Sequence, residues 1–279
     1  MKKKIKKEIK WIALVIVILL IMTIRPEIMQ DENKDTTKNI AIITKRYNQF
    51  DPLYVYRIEL EKYINDINKA EIKYNVVYIS GNSWNDGVLY SSFEDQKNKI
   101  KNSIANGLDI LILEPFENED YSFLDEVDID IIYINHKDKD NINKYPTLNT
   151  NADKIRQEQL DYGLSFKNET KVYVGTTQPK DDYIYIKISK DSKKLEEECK
   201  KIIKEYSNDV IVCENDEIAY TLYKLLKDAK IQPIKIIGYG GNPTIESLAK
   251  NKLVLASFGF DNDRLVGETI DFIYEKTKK

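Results

Sequence analysis

The sequence predicts an α/β protein: two doubly wound parallel-sheet lobes joined by a hinge and preceded by one N-terminal membrane helix. Three observations carry that expectation. Short β-branched apolar runs alternate with amphipathic helical patterns from residue 39 to residue 275. The alternating series restarts once, near residue 150. A basic cluster followed by an apolar run opens the chain. With 279 residues, 42% hydrophobic and 32% charged, the chain has room for two domains, and its composition excludes a multi-pass membrane protein and wholesale disorder.

Residues 1–10 carry six Lys and one Glu, and Trp11–Ile24 is apolar apart from Thr23. Fourteen helical residues span about 21 Å, short of the roughly 30 Å of a bilayer core. That length suits the apolar region of a secretory signal. However, Arg25-Pro26-Glu27 follows in place of a small-residue cleavage site, and no cysteine follows for lipid attachment. An uncleaved signal anchor over 1–29 is the preferred reading, and a cleaved signal peptide the other. Lysines before the apolar run place the N-terminus in the cytoplasm and the rest of the chain outside it, in the cell membrane or secreted. Polar Gln30–Lys38 reads as a tether.

Asn39–Thr44 (NIAIIT) is a buried strand, and a helical pattern runs from Pro52 to about Asn68. Tyr74–Ser80 is the second strand. Phe93–Asn106 is helical, with Gly107 suited to a left-handed cap. Asp109–Leu113 and Asp130–Asn135 are the third and fourth strands. After Asp153–Phe166, a helix, come strands at Lys171–Gly175, Tyr183–Ile188, Val210–Cys213, Lys235–Tyr239 and Leu253–Phe258. Helices at Ser192–Tyr206, Asp216–Ala229, Thr244–Lys250 and Asp261–Tyr274 interleave with them. The lobes divide as 39–146 plus 259–279, and 147–258. Only Thr176–Asp182 separates two strands of the second series, too few residues for a helical crossover. The sequence therefore predicts a second lobe one cover helix short, with those two strands antiparallel or not adjacent.

Several function classes are excluded. Beyond residue 10 the chain carries 37 basic and 45 acidic residues, a poor match for nucleic acid. One histidine, His136, and two cysteines, Cys199 and Cys213, form no cluster with metal-site spacing, so neither metal nor cofactor is expected. Both cysteines fall in helix or strand patterns as small core residues, although an extracytoplasmic location permits them to pair. Glu114, Asp181 and Asp216 are the carboxylates that an enzyme would pair, but no spacing demands it, and the chain is read as a non-enzyme.

The ordered set Ile40–Phe50 (IAIITKRYNQF), Asp95–Pro115, Ile131–Lys137 (IIYINHK), Val210–Leu226 (VIVCENDEIAYTLYKLL) and Ile236–Lys252 (IIGYGGNPTIESLAKNK) resembles the type 1 periplasmic binding proteins, in their sugar-binding branch. The resemblance covers roughly residues 39–275. The DNA-regulator relatives of this fold begin with a helix-turn-helix; here an apolar segment stands in that place.

The resemblance implies non-covalent binding of a small carbohydrate between the lobes, with aromatic rings on sugar faces and planar polar groups on hydroxyls. It implies ligand-binding roles for Tyr47, Asn48 and Phe50 after the first strand, Glu114 after the third, Asn135 after the fourth and Asn215 before the second lobe's central helix. His136 and Trp84 are weaker candidates. Asn215 also suits a helix N-cap. The chain departs from the family in three places. Gly240 stands where the family has a ligand Asp, Gly259 stands where it has a polar residue, and the helix carrying a ligand Arg is missing after Gly175. Gln178 and Asp181 are the candidates to replace its polar groups. The implied partner is an ABC permease or a sensor histidine kinase. The departures leave a second reading open: a degenerate scaffold that contacts a membrane partner without binding sugar.

Overall fold

The computed structural model describes residues 37–45, 49–68, 74–80, 82–85, 88–135, 144–179, 182–189, 192–232 and 235–277. The predicted anchor at 1–29, together with Tyr47, Asn48, His136 and Asp181, lies outside the described residues. Among those described, no helix is long and apolar enough to cross a membrane. Lys38–Lys279 forms one compact unit.

Its first sheet has the order β2-β1-β5-β6-β7: β1 Lys38–Thr44, β2 Tyr74–Ser80, β5 Ile110–Leu113, β6 Asp130–Ile134 and β7 Thr147–Leu148. All pairs are parallel. A strand covered on both faces is apolar at every position, and β5 (ILIL) is buried throughout. The side-chain alternation of a strand then sorts each run into two cores. Ile40, Ile42, Ile110, Ile112, Ile132 and Ile134 pack under α1 (Tyr54–Asn68) and α7 (Asn262–Thr277). Ala41, Ile43, Leu111, Leu113, Ile131 and Tyr133 pack under Ile100 of α2 (Phe93–Ala105). Each fully buried Ile or Leu contributes about 1.5–3 kcal/mol.

The second sheet has the order β12-β11-β10-β8-β9: β8 Lys171–Gly175, β9 Ile184–Lys187, β10 Val210–Cys213, β11 Ile236–Tyr239 and β12 Ala256–Phe258. One face (Val172, Val174, Ile211, Cys213, Ile236) lies under α4 (Ser192–Tyr206), α5 (Asp216–Asp228) and α6 (Pro243–Lys250). The other (Tyr173, Val210, Val212, Ile237) lies under Leu160 of α3 (Ala152–Leu164). The chain leaves the first sheet after Leu148, two residues beyond the sequence-based division at 146, and returns after Phe258. Cys199 and Cys213 are both buried and unpaired, and burial pushes the Cys199 thiol up to about 12.

Two features depart from the sequence reading. Segment 81–92, which carries Trp84, holds an antiparallel hairpin of β3 Asn82–Asn85 and β4 Val88–Ser91, with Trp84 opposite Leu89. Second, β8 and β9 are adjacent and parallel, pairing Val172 with Ile184 and Gly175 with Lys187. The expectation of an antiparallel or separated pair is therefore corrected, while the described residues between them form no helix. The length rule applies to crossovers that coil. A four-residue strand is about 13 Å long, and a stretch of eight residues can reach about 26 Å when extended, so a return to the neighbouring strand needs no coil. The link is fastened where it re-enters the sheet, for the Tyr183 hydroxyl donates to Leu160 O at 2.6 Å. It fills space that Gly163 leaves open, since a Cβ there would stand 2.3 Å from that hydroxyl.

Candidate functional site

In doubly wound sheets the strand carboxyl ends leave room for ligands, because the loops there separate as successive helices diverge. In this molecule the carboxyl-end loops of the two sheets meet. The Phe50 ring, just past β1, lies 5.7 Å from the Tyr220 ring on α5. The Asn242 side chain, just past β11, donates to Gln49 O. Asn242 is also the N-cap of α6, where its Oδ1 accepts from Thr244 N at 2.9 Å ahead of Pro243 in the first turn. One amide side chain thus caps a helix and reaches the opposite lobe.

Twin carboxylates brace the two rims. Glu114, after β5, accepts the Lys45 amide at 2.9 Å, with the Lys45 ammonium 3.9 Å away. Glu214, after β10, accepts the Thr176 amide at 2.7 Å and the Thr176 hydroxyl at 2.9 Å. In each lobe the carboxylate past a central strand holds the first amide past the neighbouring strand. Beneath each sits a fully buried glutamine. Gln96 donates to Glu114 O at 2.9 Å and accepts from the Tyr121 hydroxyl. Gln159 donates to Cys213 O at 2.8 Å and Gly238 O at 3.0 Å.

The predicted site residues fall as follows. Asn135 has a left-handed backbone (φ 56°), and its Oδ1 accepts from Thr150 N at 2.9 Å and Thr150 Oγ1 at 2.5 Å, tying β6 to the crossing segment. The Oδ1 of Asn215 caps α5 by accepting from Ile218 N at 3.0 Å, which leaves its Nδ2 donors without a partner among the described residues. Gln178 is exposed in the β8–β9 link. Of these, Phe50 reaches the other lobe, at Tyr220, while Glu114 and Asn215 lie in the loops past β5 and β10. Trp84 lies on a hairpin outside both main sheets.

The organising carboxylate is Asp216, whose role at this site the sequence reading missed. It is fully buried and accepts from Asn242 N at 2.7 Å and Ser257 Oγ at 2.9 Å. It occupies the space that Gly238 leaves, where a Cβ would stand 2.0 Å from Asp216 Oδ1. Where the resemblance calls for polar side chains there is bare backbone. Gly240 (φ 135°) faces Phe50 O, and Gly241 (φ 66°) packs against Gly259, with a Cβ on Gly241 only 2.8 Å from Gly259 Cα. The sequence shows Gly240 and Gly259 as absent side chains, but not their packing.

Burial raises the Asp216 carboxyl from its ordinary 3.8 to about 6, against the lowering effect of the donors from Asn242 and Ser257. A folded chain that keeps this proton until about pH 6 outcompetes an unfolded one that releases it near 3.8. The contribution of Asp216 to stability is therefore greatest below about pH 4, falls as pH rises to about 6 and is level above; its full span is about 3 kcal/mol. Urea unfolding of wild type and Asp216→Asn between pH 4 and 7 should show a difference that changes through this window. A constant difference would contradict the assignment.

No family model matches the sequence, and no curated protein matches it. Solved structures do. The periplasmic sugar-binding protein of an ABC sugar transporter from Legionella pneumophila superposes with a TM-score of 0.62 at 15% identity, covering 84% of this chain and 93% of that one. The Caulobacter myo-inositol-binding protein, bound to myo-inositol, gives 0.61 at 13% identity, covering 86% and 88%. A LacI-family transcriptional regulator from Lactobacillus casei with bound sucrose gives 0.61 at 14% identity, covering 86% and 92%. At such identities the likeness is one of architecture, and the chain has the fold of the type 1 periplasmic binding proteins, a fold that transport components share with transcriptional regulators.

Proposed function

We propose that this chain is an extracytoplasmic, membrane-tethered solute-binding protein that takes a small carbohydrate between its lobes and presents it to a membrane partner. An ABC sugar permease and a sensor kinase are the two candidates. Residues 1–29 serve as the anchor and 30–38 as the tether. Lobes of 39–146 plus 259–279 and of 147–258 close on the ligand. The observation that carries the reading is the meeting of two sets of strand carboxyl ends, with Phe50 on one side and the uncommitted Asn215 amide on the other. The sugar-binding protein from Legionella pneumophila and the myo-inositol-binding protein from Caulobacter share this architecture. By the family resemblance, Tyr47 and Asn48 also serve as ligand contacts from the first lobe, and Gln178 and Asp181 from the second. Glu114 and Asn135 contribute chiefly by holding their loops, since their acceptors are engaged.

The test is thermal unfolding of the full-length chain in detergent against mono- and disaccharides at millimolar concentration. At about a hundred times its dissociation constant a ligand adds about 2.7 kcal/mol, a rise of roughly 5–10 °C at about 2–4 °C per kcal/mol. The rise should vanish in Asn48→Ala and shrink in Asn215→Ala. A flat response across the panel would favour a second reading, a binding-protein scaffold that contacts its membrane partner directly. Backbone packing at Gly240, Gly241 and Gly259 and the direct Asn242–Gln49 contact support that alternative.

A further inference from the structure

Arg156 lies in the second turn of α3, the helix that enters the second lobe directly after the crossing segment, and so at the carboxyl ends of the second sheet's strands. Its guanidinium lies over the Tyr239 ring, with Cζ 3.5 Å from the centroid. Nη1 donates to Gln159 Oε1 and Nη2 to Glu214 O, each at 2.6 Å. Both acceptors are neutral, and the cation makes no ion pair with a described carboxylate. Arg264, by contrast, pairs with Glu268 at 2.8 Å. Two of the five Arg156 donors are used. A half-buried guanidinium with neutral partners alone has given up hydration without a countercharge.

The neighbouring carboxylates do not supply one. Asp153, three residues before Arg156 on the same helix, also lies near Tyr239 but makes no ion pair with Arg156. Glu214 turns both oxygens to Thr176. Asp216 turns inward to Asn242 and Ser257. Gly240 has no side chain. Asn215, next in sequence to the carbonyl that Arg156 holds, adds two further N–H donors. Around Arg156 the second lobe thus offers N–H donors and one cation that no carboxylate pairs. A hydroxyl both donates and accepts, so a neutral sugar needs acceptors as well. A carboxylate only accepts, and its geometry matches the guanidinium fork.

We infer that the ligand of this cleft is an acidic sugar whose carboxylate is bound by Arg156 and Asn215. The inference rests on the solute-binding reading and narrows its ligand class. It is tested on the full-length chain in detergent by calorimetric titration and thermal unfolding with D-galacturonate and D-glucuronate against D-galactose and D-glucose. At least one uronate should bind and raise the unfolding temperature while its neutral counterpart does not. Arg156→Gln should weaken that uronate by about 10- to 100-fold, the range for losing a charge-assisted hydrogen bond. Arg156→Lys should recover part of the loss, which a purely structural role would not produce. Neutral sugars binding as well as uronates, or Arg156→Gln binding the uronate unchanged, would overturn the inference and leave the binding-protein reading standing. No response to either class would overturn both. Should Arg156→Gln fail to fold, the wild-type comparison of acid and neutral sugars and the Arg156→Lys titration still decide the matter.

Discussion

Gly259→Ala is expected to lower the unfolding temperature by roughly 6–12 °C, from about 3 kcal/mol of overpacking at about 2–4 °C per kcal/mol. A Cβ on Gly259 would stand 2.5 Å from Gly241 Cα and 3.0 Å from Gly241 N. Both are backbone atoms, so no side-chain rotation relieves the clash. Gly241 already holds a left-handed backbone (φ 66°) that restricts its retreat. Moving the loops apart strains the bond from Gly240 N to Phe258 O (2.7 Å) and the one from Gly241 N to Ser257 Oγ (3.3 Å). Gly259→Gln, which restores the polar side chain of the sugar-binding branch, should be worse still. Calorimetric unfolding reads both. An alanine variant within about 2 °C of wild type would show that the two loops do not touch, since a contact this close costs at least about 1 kcal/mol.

Gln159→Leu is expected to cost about 3 kcal/mol or more. Leucine conserves most of the volume, so cavity formation is a minor contribution. The loss comes from unsatisfied groups. Cys213 O and Gly238 O lose the Nε2 donors at 2.8 and 3.0 Å, and the Arg156 guanidinium loses its Oε1 acceptor. Each orphaned buried group costs about 1–3 kcal/mol. Urea unfolding should show a lower midpoint with an unchanged slope, the mark of altered stability without altered exposure. A loss under about 1 kcal/mol would mean that water replaces the amide.

Most of the architecture was legible because buried parallel strands are apolar at every position. Ile110–Leu113 and Val210–Cys213 read as buried strands, and Asn215 as the N-cap of the helix that follows, as the structure has them. Thr147–Leu148 was not legible, since two residues carry no periodicity. The hairpin around Trp84 was hidden for another reason: Asn82–Asn85 is polar and reads as loop. The β8–β9 pairing escaped a length rule that applies to helical crossovers, and the Tyr183 hydroxyl fastens the chain to Leu160 O as it re-enters the sheet.

The site was legible in position but not in wiring. Glu114 and Asn135 were placed at strand ends by their sequence context. That their oxygens serve Lys45 N and Thr150 depends on residues 69 and 15 positions away. Asp216 looked like the ordinary neighbour of an N-cap, because its partners lie 26 and 41 positions on, at Asn242 and Ser257. The glycines at 240 and 259 were visible as missing side chains, yet only the fold brings Gly241 against Gly259.

The chain passes between the sheets along two segments, 149–151 and 259–261. Two crossings define a line, and rotation about that line is the freedom such a joint retains. Arg264, just past the second crossing, donates from Nη2 to Asn149 O of the first at 2.6 Å. Shear of one segment past the other would break that bond, so the two crossings are coupled. An opening of the lobes about that line would part Asn242 from Gln49 and Phe50 from Tyr220 together.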